Sequence, residues 1–75
     1  GVQRVAQFLA DLTDEETGPC EVRLPYNKRL IAGHLGMQPE SLSRAFARLR
    51  EHGVRVDASK AEIDDIATLR LLAQD

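Results

Sequence analysis

Residues 31–53 read IAGHLGMQPESLSRAFARLREHG, and this stretch decides the fold. A short helical pattern ends just before Gly36, at the position where a left-handed residue commonly terminates a helix. Gln38 then stands at the N-cap of a second helix, and Pro39 lies in its first turn, where the missing N–H costs nothing. The pattern predicts that this second helix covers residues 39–51 and that a tight turn joins it to the first.

The helix before the turn is predicted over residues 28–35, with Asn27 as its N-cap. In a helix-turn-helix the two helices cross at a steep angle, so the first helix needs a small residue at the contact, and Ala32 meets this need. Gly36, four residues later, can adopt the positive φ of the turn. Leu42 is the apolar residue that would lock the second helix onto the first. These residues, at these spacings, indicate a helix-turn-helix.

The outer side of the second helix carries side chains that can contact DNA bases. Glu40 can accept a hydrogen bond from the amino group of cytosine, Arg44 can donate two to guanine, and Ser43 can contact a base edge or the backbone. Ser41 and Arg48 are better placed for phosphates, which position a protein without specifying sequence. A surface ion pair between Glu40 and Arg44, worth about 0.3–0.5 kcal/mol, is the alternative explanation. Their place at the start of a capped helix after a glycine turn favours recognition.

The segments outside the helix-turn-helix predict two more helices and three short strands. Apolar residues recur at helical spacing over residues 2–12, and residues 21–24 alternate as a strand that Pro25 ends. A polar turn ending in Gly-Pro connects these two segments. The predicted fold is therefore mainly α with a small antiparallel β-sheet, an α+β class, in the order helix, strand, helix, turn, helix, hairpin, helix.

A hairpin and a helix are predicted at the C-terminal end. Val54 and Val56 alternate with charged residues as a strand, and residues 58–60 form the turn. Either Asp64 or Asp65 can cap the final helix. The return strand and the final helix direct their apolar residues inward, namely Ala61 and Ile63 in the strand and Ile66, Leu69 and Leu72 in the helix.

The length of 75 residues predicts one small domain covering residues 1–75, in which residues 1–18 are a leading helix and turn and residues 19–75 the core. The single Cys20 cannot form an internal disulfide, which fits a reducing cytoplasm. No run of about 18 apolar residues is present, so we expect no membrane span, and no signal-peptide pattern occurs. The chain begins with glycine rather than methionine, which we interpret as the sign of a longer parent protein.

The charges are distributed unevenly along the chain, although the formal net charge is −2. Residues 23–55 hold seven basic residues against two acidic ones, a local charge of +5, whereas the rest of the chain holds three basic residues against ten acidic ones. A locally basic surface can dock on nucleic acid whatever the total charge. Ordinary scatter of surface charge explains the pattern about equally well, so charge alone does not decide.

Candidate catalytic or metal-binding groups are few. His34, His52 and Cys20 do not fall at C-x-x-C or H-x-x-x-H spacing, and a catalytic zinc site needs at least three protein ligands. The acidic pair at residues 64 and 65 is better explained by helix capping than by a cation site. We therefore expect no enzyme activity, and no cofactor or metal bound by this chain.

The sequence over residues 24–54, LPYNKRLIAGHLGMQPESLSRAFARLREHGV, resembles the C-terminal DNA-binding domain of the Crp/Fnr family of bacterial transcription regulators. The resemblance extends over essentially the whole chain, from the helix at residues 4–12 to the closing strand and helix, I-x-D-x-x-x-L, at residues 63–69. Its most specific part is ESLSR at residues 40–44, which matches the E-x-x-S-R element of the Fnr-like branch. The branch of the cyclic-AMP receptor protein has glycine where Ser43 stands.

The resemblance implies a winged helix-turn-helix whose second helix, residues 39–51, is the recognition helix in the DNA major groove. Glu40, Ser43 and Arg44 would read the bases of a TTGAT-like half-site. We also expect contacts with the DNA backbone from Asn27, Lys28, Gln38, Ser41 and Arg48.

The resemblance also implies partners and parts outside this chain. A homodimer, joined through regions outside the fragment, would bind a two-fold palindrome of double-stranded DNA, and RNA polymerase would be a further partner. Family members carry an N-terminal effector domain, absent here, whose signal would be a cyclic nucleotide, a haem ligand or an iron–sulfur cluster. The wing of this chain contains Asp57 and Glu62, which are poor groups for approaching phosphate, so a weak wing contact is expected.

A winged helix can also serve as a protein-interaction module with no direct DNA readout, and this is the main alternative. Salt dependence separates the two functions. Log affinity for DNA falls with log salt by about 0.9 per phosphate neutralised, whereas protein partners generally give a shallower dependence.

Overall fold

Seven elements follow one another in the computed structural model, which describes residues 1–25, 27–57 and 59–74. They are α1 (Val2–Ala10), β1 (Cys20–Arg23), α2 (Lys28–Leu35), α3 (Pro39–Arg50), β2 (Val54–Val56), β3 (Lys60–Ile63) and α4 (Ile66–Gln74). The predicted order and the α+β class with a small antiparallel sheet are confirmed, and the arrangement is that of a winged helix-turn-helix.

The turn between α2 and α3 is built by backbone hydrogen bonds around Gly36. This residue has φ 67° and ψ 34°, the left-handed conformation predicted for it. The N–H of Gly36 donates to the carbonyl of Gly33 (3.2 Å), and the N–H of Met37 donates to the carbonyl of Ala32 (2.8 Å). Both bonds satisfy carbonyls that the end of a helix leaves without a partner, so the turn stops α2 sharply.

The two helices of this unit are capped differently at their starts. The side chain of Asn27 accepts a hydrogen bond from the N–H of Leu30 (2.9 Å), which confirms the predicted N-cap of α2. Gln38 occupies the N-cap of α3, and its carbonyl accepts from the N–H of Leu42 (3.0 Å), but its side chain makes no capping bond. Glutamine is not one of the residues with short polar side chains that cap helices well. The prediction that Gln38 occupies the N-cap position is therefore confirmed, but its side chain does not cap the helix. Pro39 begins α3 as predicted.

The strands form one antiparallel sheet in the order β1-β3-β2. Val22 pairs with Ala61 and Val54 pairs with Ile63, and all four side chains are buried, which confirms the two predicted inward positions of β3. Successive side chains of a strand point to opposite faces, so the residues between them are exposed. These exposed residues include Glu21, Arg23, Arg55 and Glu62.

β2 and β3 form a hairpin, which we call the wing. Its turn is closed by a hydrogen bond from the N–H of Asp57 to the carbonyl of Lys60 (2.8 Å). Lys60 was predicted as a turn residue but already belongs to β3, because it pairs with a residue of β1. Ala58, predicted in the same turn, lies outside the described residues. The N–H of Leu24 donates to the carbonyl of Ser59 (2.8 Å), so the wing turn lies beside the segment that leads into α2.

Four predicted boundaries, in three elements, shift by one or two residues. α1 ends at Ala10 rather than at residue 12, because the chain tightens there. The carbonyl of Leu9 accepts an i→i+3 hydrogen bond from the N–H of Leu12 (3.1 Å), and the carbonyl of Ala10 accepts one from the N–H of Thr13 (3.3 Å). β1 begins at Cys20 and ends one residue early, since Cys20 pairs with Ile63. α3 likewise ends one residue before its predicted end.

Of the two predicted caps of α4, it is Asp65 and not Asp64 whose side chain caps the helix. Its Oδ1 accepts hydrogen bonds from the N–H of Ala67 (3.1 Å) and from the N–H of Gly18 (3.0 Å). Asp64 instead pairs with Arg55. One carboxylate therefore fixes both the start of α4 and the turn that precedes β1.

A single hydrophobic core joins the four helices to the inner side of the sheet. Ala32 and Leu42 are buried, as the predicted contact between α2 and α3 requires. None of the described helices is both long and apolar enough to span a membrane. The largest fully buried side chains include Leu9, Ile31, Leu42, Leu49, Ile66 and Leu69.

Candidate nucleic-acid interface

One side of α3 is exposed along its whole length. Glu40, Ser43, Arg44, Ala47 and Arg48 are exposed and recur three or four positions apart, so they share one face of the helix, which we call the outer face of α3. The three residues predicted to contact bases lie together on it. The opposite side enters the core through Leu42, Ala45, Phe46 and Leu49.

Glu40 and Arg44 do not pair with each other. Both are described residues, and no ion pair within 4.0 Å joins their side chains. Instead, Nη2 of Arg44 donates to Oγ of Ser41 at 3.3 Å. A hydrogen bond of this length on an exposed helix is weak. The carboxylate of Glu40 and the guanidinium of Arg44 therefore remain accessible to a ligand, and the surface ion pair considered as an alternative is not formed.

A groove borders the outer face of α3 on the side of α1. Ser41, Arg44 and Arg48 line it, opposite Gly1 and Val2 at the start of α1. Two of these three residues were predicted to contact the DNA backbone. Ser41 and Arg48 therefore lie along the same side of α3.

A second groove, which we call the wing-side groove, borders α3 on the side of the sheet. Ser43, Phe46, Ala47 and Arg50 of α3 line it, together with Lys28 and with Val56 of the wing. Nζ of Lys28 lies 5.8 Å from the centroid of the Phe46 ring, a cation–π distance. Arg50 was not among the predicted site residues. Its spacing of seven from Ser43, close to two helical turns, is the signal that could have indicated it.

The predicted backbone-contacting residues are engaged to different degrees within the domain. The side-chain oxygen of Asn27 is used by the N-cap of α2, which leaves its amide N–H groups as donors. Ser41 is half-buried and holds Arg44, whereas Lys28, Gln38 and Arg48 are exposed. These residues lie around the start of α2 and along α3, so they border the outer face rather than scatter over the domain.

The solvent-facing side of the sheet carries both signs of charge in contact. Nη2 of Arg55 lies 2.9 Å from Oδ1 of Asp64 and 3.6 Å from Oε1 of Glu62. Nζ of Lys60 lies 3.7 Å from Glu21 and 3.9 Å from Glu62. The hydrogen bond from Arg55 lowers the pKa of Asp64, and the same bond raises the pKa of Arg55. The pairs are exposed and individually weak, but they place a carboxylate beside each of these two cations of the wing.

The described residues contain no group of three or more His, Cys, Asp or Glu side chains that could hold a metal ion. Sγ of Cys20 lies 3.4 Å from Oγ1 of Thr13, and the ring of His34 lies 6.0 Å from that of Phe8. The outer face of α3 presents one carboxylate, one hydroxyl and two guanidinium groups.

The comparison with known families decides what this architecture is. The family described as the Crp-like helix-turn-helix domain matches residues 3–72. The chain belongs to this family. Its match covers α1, the helix-turn-helix, the sheet and most of α4, so the predicted family membership is confirmed.

Similar proteins extend this result. The nitrogen fixation regulation protein FixK of Rhizobium meliloti (strain 1021) is 38% identical over 53 residues, which are 71% of this chain and 25% of FixK. A Ruegeria pomeroyi DSS-3 structure, described as a cyclic nucleotide binding protein, is 62% identical, with a TM-score of 0.91 over 99% of this chain and 33% of its own. A Silicibacter pomeroyi DSS-3 structure, described as a cAMP-binding regulatory protein, is 59% identical, with a TM-score of 0.84 over 99% of this chain and 32% of its own.

These matches define the class of protein. The Crp-like domain is a DNA-binding domain of Crp/Fnr-type transcription regulators, and the family is not one of enzymes. The chain spans a quarter to a third of the length of the relatives named above. In a helix-turn-helix the second helix enters the major groove, and in this chain that helix is α3.

Proposed function

We propose that α3 reads a TTGAT-like half-site in the DNA major groove, and that a homodimer reads two such half-sites as a palindrome. The observation that carries this proposal is the exposure of Glu40 and Arg44 on the outer face of α3 without an ion pair between them. Both lie in the first half of the helix, which is the part of a recognition helix that contacts base edges.

The chemistry of these two side chains fits one base pair of such a site. A TTGAT half-site contains a single G·C pair. The guanidinium of Arg44 can donate two hydrogen bonds to guanine O6 and N7, and the carboxylate of Glu40 can accept one from the cytosine amino group. Residues four apart on a helix are about 5–6 Å from each other at Cβ, so both can reach the same pair. Ser43 would contact a neighbouring base.

The residues around this face would hold the DNA backbone. Lys28 and Arg48 supply positive charge, and Asn27, Gln38 and Ser41 supply hydrogen-bond donors for phosphate oxygens. The wing would add little, because its two cations, Arg55 and Lys60, already lie against carboxylates of their own domain.

We also propose a setting for this domain. The protein would act in the cytoplasm, contact RNA polymerase and have no catalytic activity of its own. Its signal would bind outside residues 1–75. Among a cyclic nucleotide, a haem ligand and an iron–sulfur cluster, we favour the cyclic nucleotide, because two similar structures are described as binding cyclic nucleotides or cAMP.

Selection of bound sequences from random DNA tests the proposed half-site. The full-length protein is incubated with a random duplex pool, and the retained sequences are determined after several rounds. We expect enrichment of TTGAT-like half-sites arranged as an inverted repeat. Enrichment of single half-sites would contradict the homodimer, and a pool that stays random would contradict sequence readout.

One observation favours the alternative, a winged-helix module that binds a protein partner. Leu30, on the exposed side of α2, is 57% exposed and lies beside Gly33 on a shallow surface. Contiguous exposed apolar surface marks protein interfaces, whereas a single exposed leucine is common on ordinary protein surfaces, so this observation is weaker than that for DNA. Replacing Leu30 by Glu would abolish such an interaction but leave DNA affinity and its salt dependence intact.

A further inference from the structure

We infer that the wing-side groove binds the sugar–phosphate backbone of DNA. Arg50, which is not among the residues proposed above to contact DNA, would contact a phosphate there. The inference rests on the proposed function, since it places the groove beside a helix that lies in the major groove. It adds a binding site and a residue, Arg50, to that function.

The composition of the groove matches a phosphodiester. Two cations, Lys28 and Arg50, and one hydroxyl, Ser43, line it, and none of the described residues that line it is acidic. The ring of Phe46 lies at a cation–π distance from the ammonium group of Lys28, which keeps that cation beside the groove. A cationic concavity with a hydroxyl donor favours an anion with several acceptor oxygens.

The position of Arg50 along α3 fits the depth of the major groove. Arg50 follows Ser43 by seven residues, so it lies on nearly the same side of the helix and about 10 Å further along the axis. The major groove is about 8.5 Å deep. If Ser43 lies at base level, Arg50 lies where the helix leaves the groove and meets phosphates.

The charges of this groove are available, in contrast to those of the sheet. Arg55 and Lys60 lie against Asp64, Glu62 and Glu21. Within the described part of the chain, no ion pair within 4.0 Å involves Lys28 or Arg50. A competing role for Arg50 within the domain is a favourable interaction with the negative end of the α3 dipole, which would affect stability but not DNA binding.

Arg50→Gln in the full-length protein separates these roles. Loss of one phosphate contact in each subunit of the proposed homodimer should reduce the slope of log affinity against log salt by about 1.8, which is roughly a sixtyfold loss of affinity near 0.1 M salt. The loss should be the same for the selected palindrome and for random DNA. Arg29→Gln is the matched control. This substitution also removes one positive charge, next to Lys28, but Arg29 lines a different surface. The salt slope of Arg29→Gln should stay close to that of the wild type.

Several outcomes overturn the inference. An unchanged slope for Arg50→Gln would leave Arg50 with a structural role, and a loss confined to one DNA sequence would make it a base contact. If the wild type binds all DNA sequences alike while Arg50→Gln still lowers the salt slope, the proposed sequence readout by α3 is wrong, but phosphate binding in the wing-side groove is supported. If the wild type does not bind DNA, both fail.

Phosphate neutralisation locates the contact. Single methylphosphonates, which remove one backbone charge each, are placed in turn along the selected duplex. We expect one position in each half-site at which neutralisation weakens binding of the wild type but does not weaken binding of Arg50→Gln any further, while the two proteins respond alike at all other positions. Identical profiles for the two proteins would overturn the assignment.

Discussion

Replacing Gly36 by alanine should destabilise the domain, whereas the same replacement at Gly33, three residues earlier, should stabilise it. Gly36 has φ +67°, and a Cβ built there would meet no heavy atom within 4 Å. The cost is therefore conformational rather than steric, and it is about 1–2 kcal/mol for an L residue held in the left-handed region. Valine is branched at Cβ and should cost more, while asparagine tolerates this region and should cost less.

Gly33 provides the matched control. It lies inside α2 with a helical conformation, and a Cβ there also meets nothing within 4 Å. Alanine at this position removes the entropic cost of a helical glycine and should add about 0.5–1 kcal/mol of stability. The two substitutions are chemically the same, so a difference in sign between them can come only from the local backbone conformation.

Thermal unfolding followed by far-UV circular dichroism measures both effects. For a domain of this size, 1 kcal/mol shifts the Tm by about 4–8 °C. Gly36→Ala should therefore lower the Tm by roughly 4–16 °C, and Gly33→Ala should raise it by a few degrees. If Gly36→Val melts at the wild-type temperature, or if both alanine variants shift in the same direction, the turn is not built as described.

Three further predictions concern charged residues. Arg48→Ala should weaken binding to all DNA sequences alike and reduce the salt slope by about 0.9 per half-site; a selective loss at one base pair, measured by competition, would contradict a phosphate role. Glu62→Gln removes one of the two carboxylates beside each of Arg55 and Lys60 and should raise affinity for random DNA with a steeper salt slope; an unchanged slope would mean that the wing stays away from DNA. Asp64 has its pKa lowered by Arg55, so its contribution to stability is present above the ordinary aspartate pKa and is lost as the pH falls through the lowered value. Asp64→Asn should therefore flatten the acid limb of a stability–pH profile, and an unaltered limb would refute the pairing.

The helix-turn-helix could be predicted closely because its signals are local. A capping side chain at Asn27, a left-handed glycine at Gly36 and a proline at Pro39 mark where α2 and α3 begin or end, and each acts through its own backbone. The ends of α1 and β1 carry no such marks. α1 ends in a turn of i→i+3 bonds, and β1 begins where Cys20 finds a partner in β3. The start of β1 depends on a partner that is distant in the sequence, and no capping side chain, glycine or proline marks the residue at which α1 ends.

The site divides in the same way. The outer face of α3 follows from helical spacing alone, so Glu40, Ser43 and Arg44 could be grouped from the sequence. The choice between Asp64 and Asp65 as the cap of α4 could not be made, since it depends on the distant N–H of Gly18. The spacing of Arg50 from Ser43 could have placed Arg50 on this side of α3. The groove itself also needs Val56 of the wing, and no local pattern in α3 contains that contact.

The central claim is that Glu40 and Arg44 read the single G·C pair of the half-site. The most direct test measures the affinity of full-length Arg44→Ala for the selected palindrome and for the same palindrome with that pair replaced by A·T in both half-sites. The wild type should discriminate between them by about 1–3 kcal/mol per half-site, and Arg44→Ala should lose most of this discrimination. If Arg44→Ala binds both duplexes more weakly by the same factor and keeps the wild-type preference, the guanidinium contacts phosphate and α3 does not read DNA as proposed.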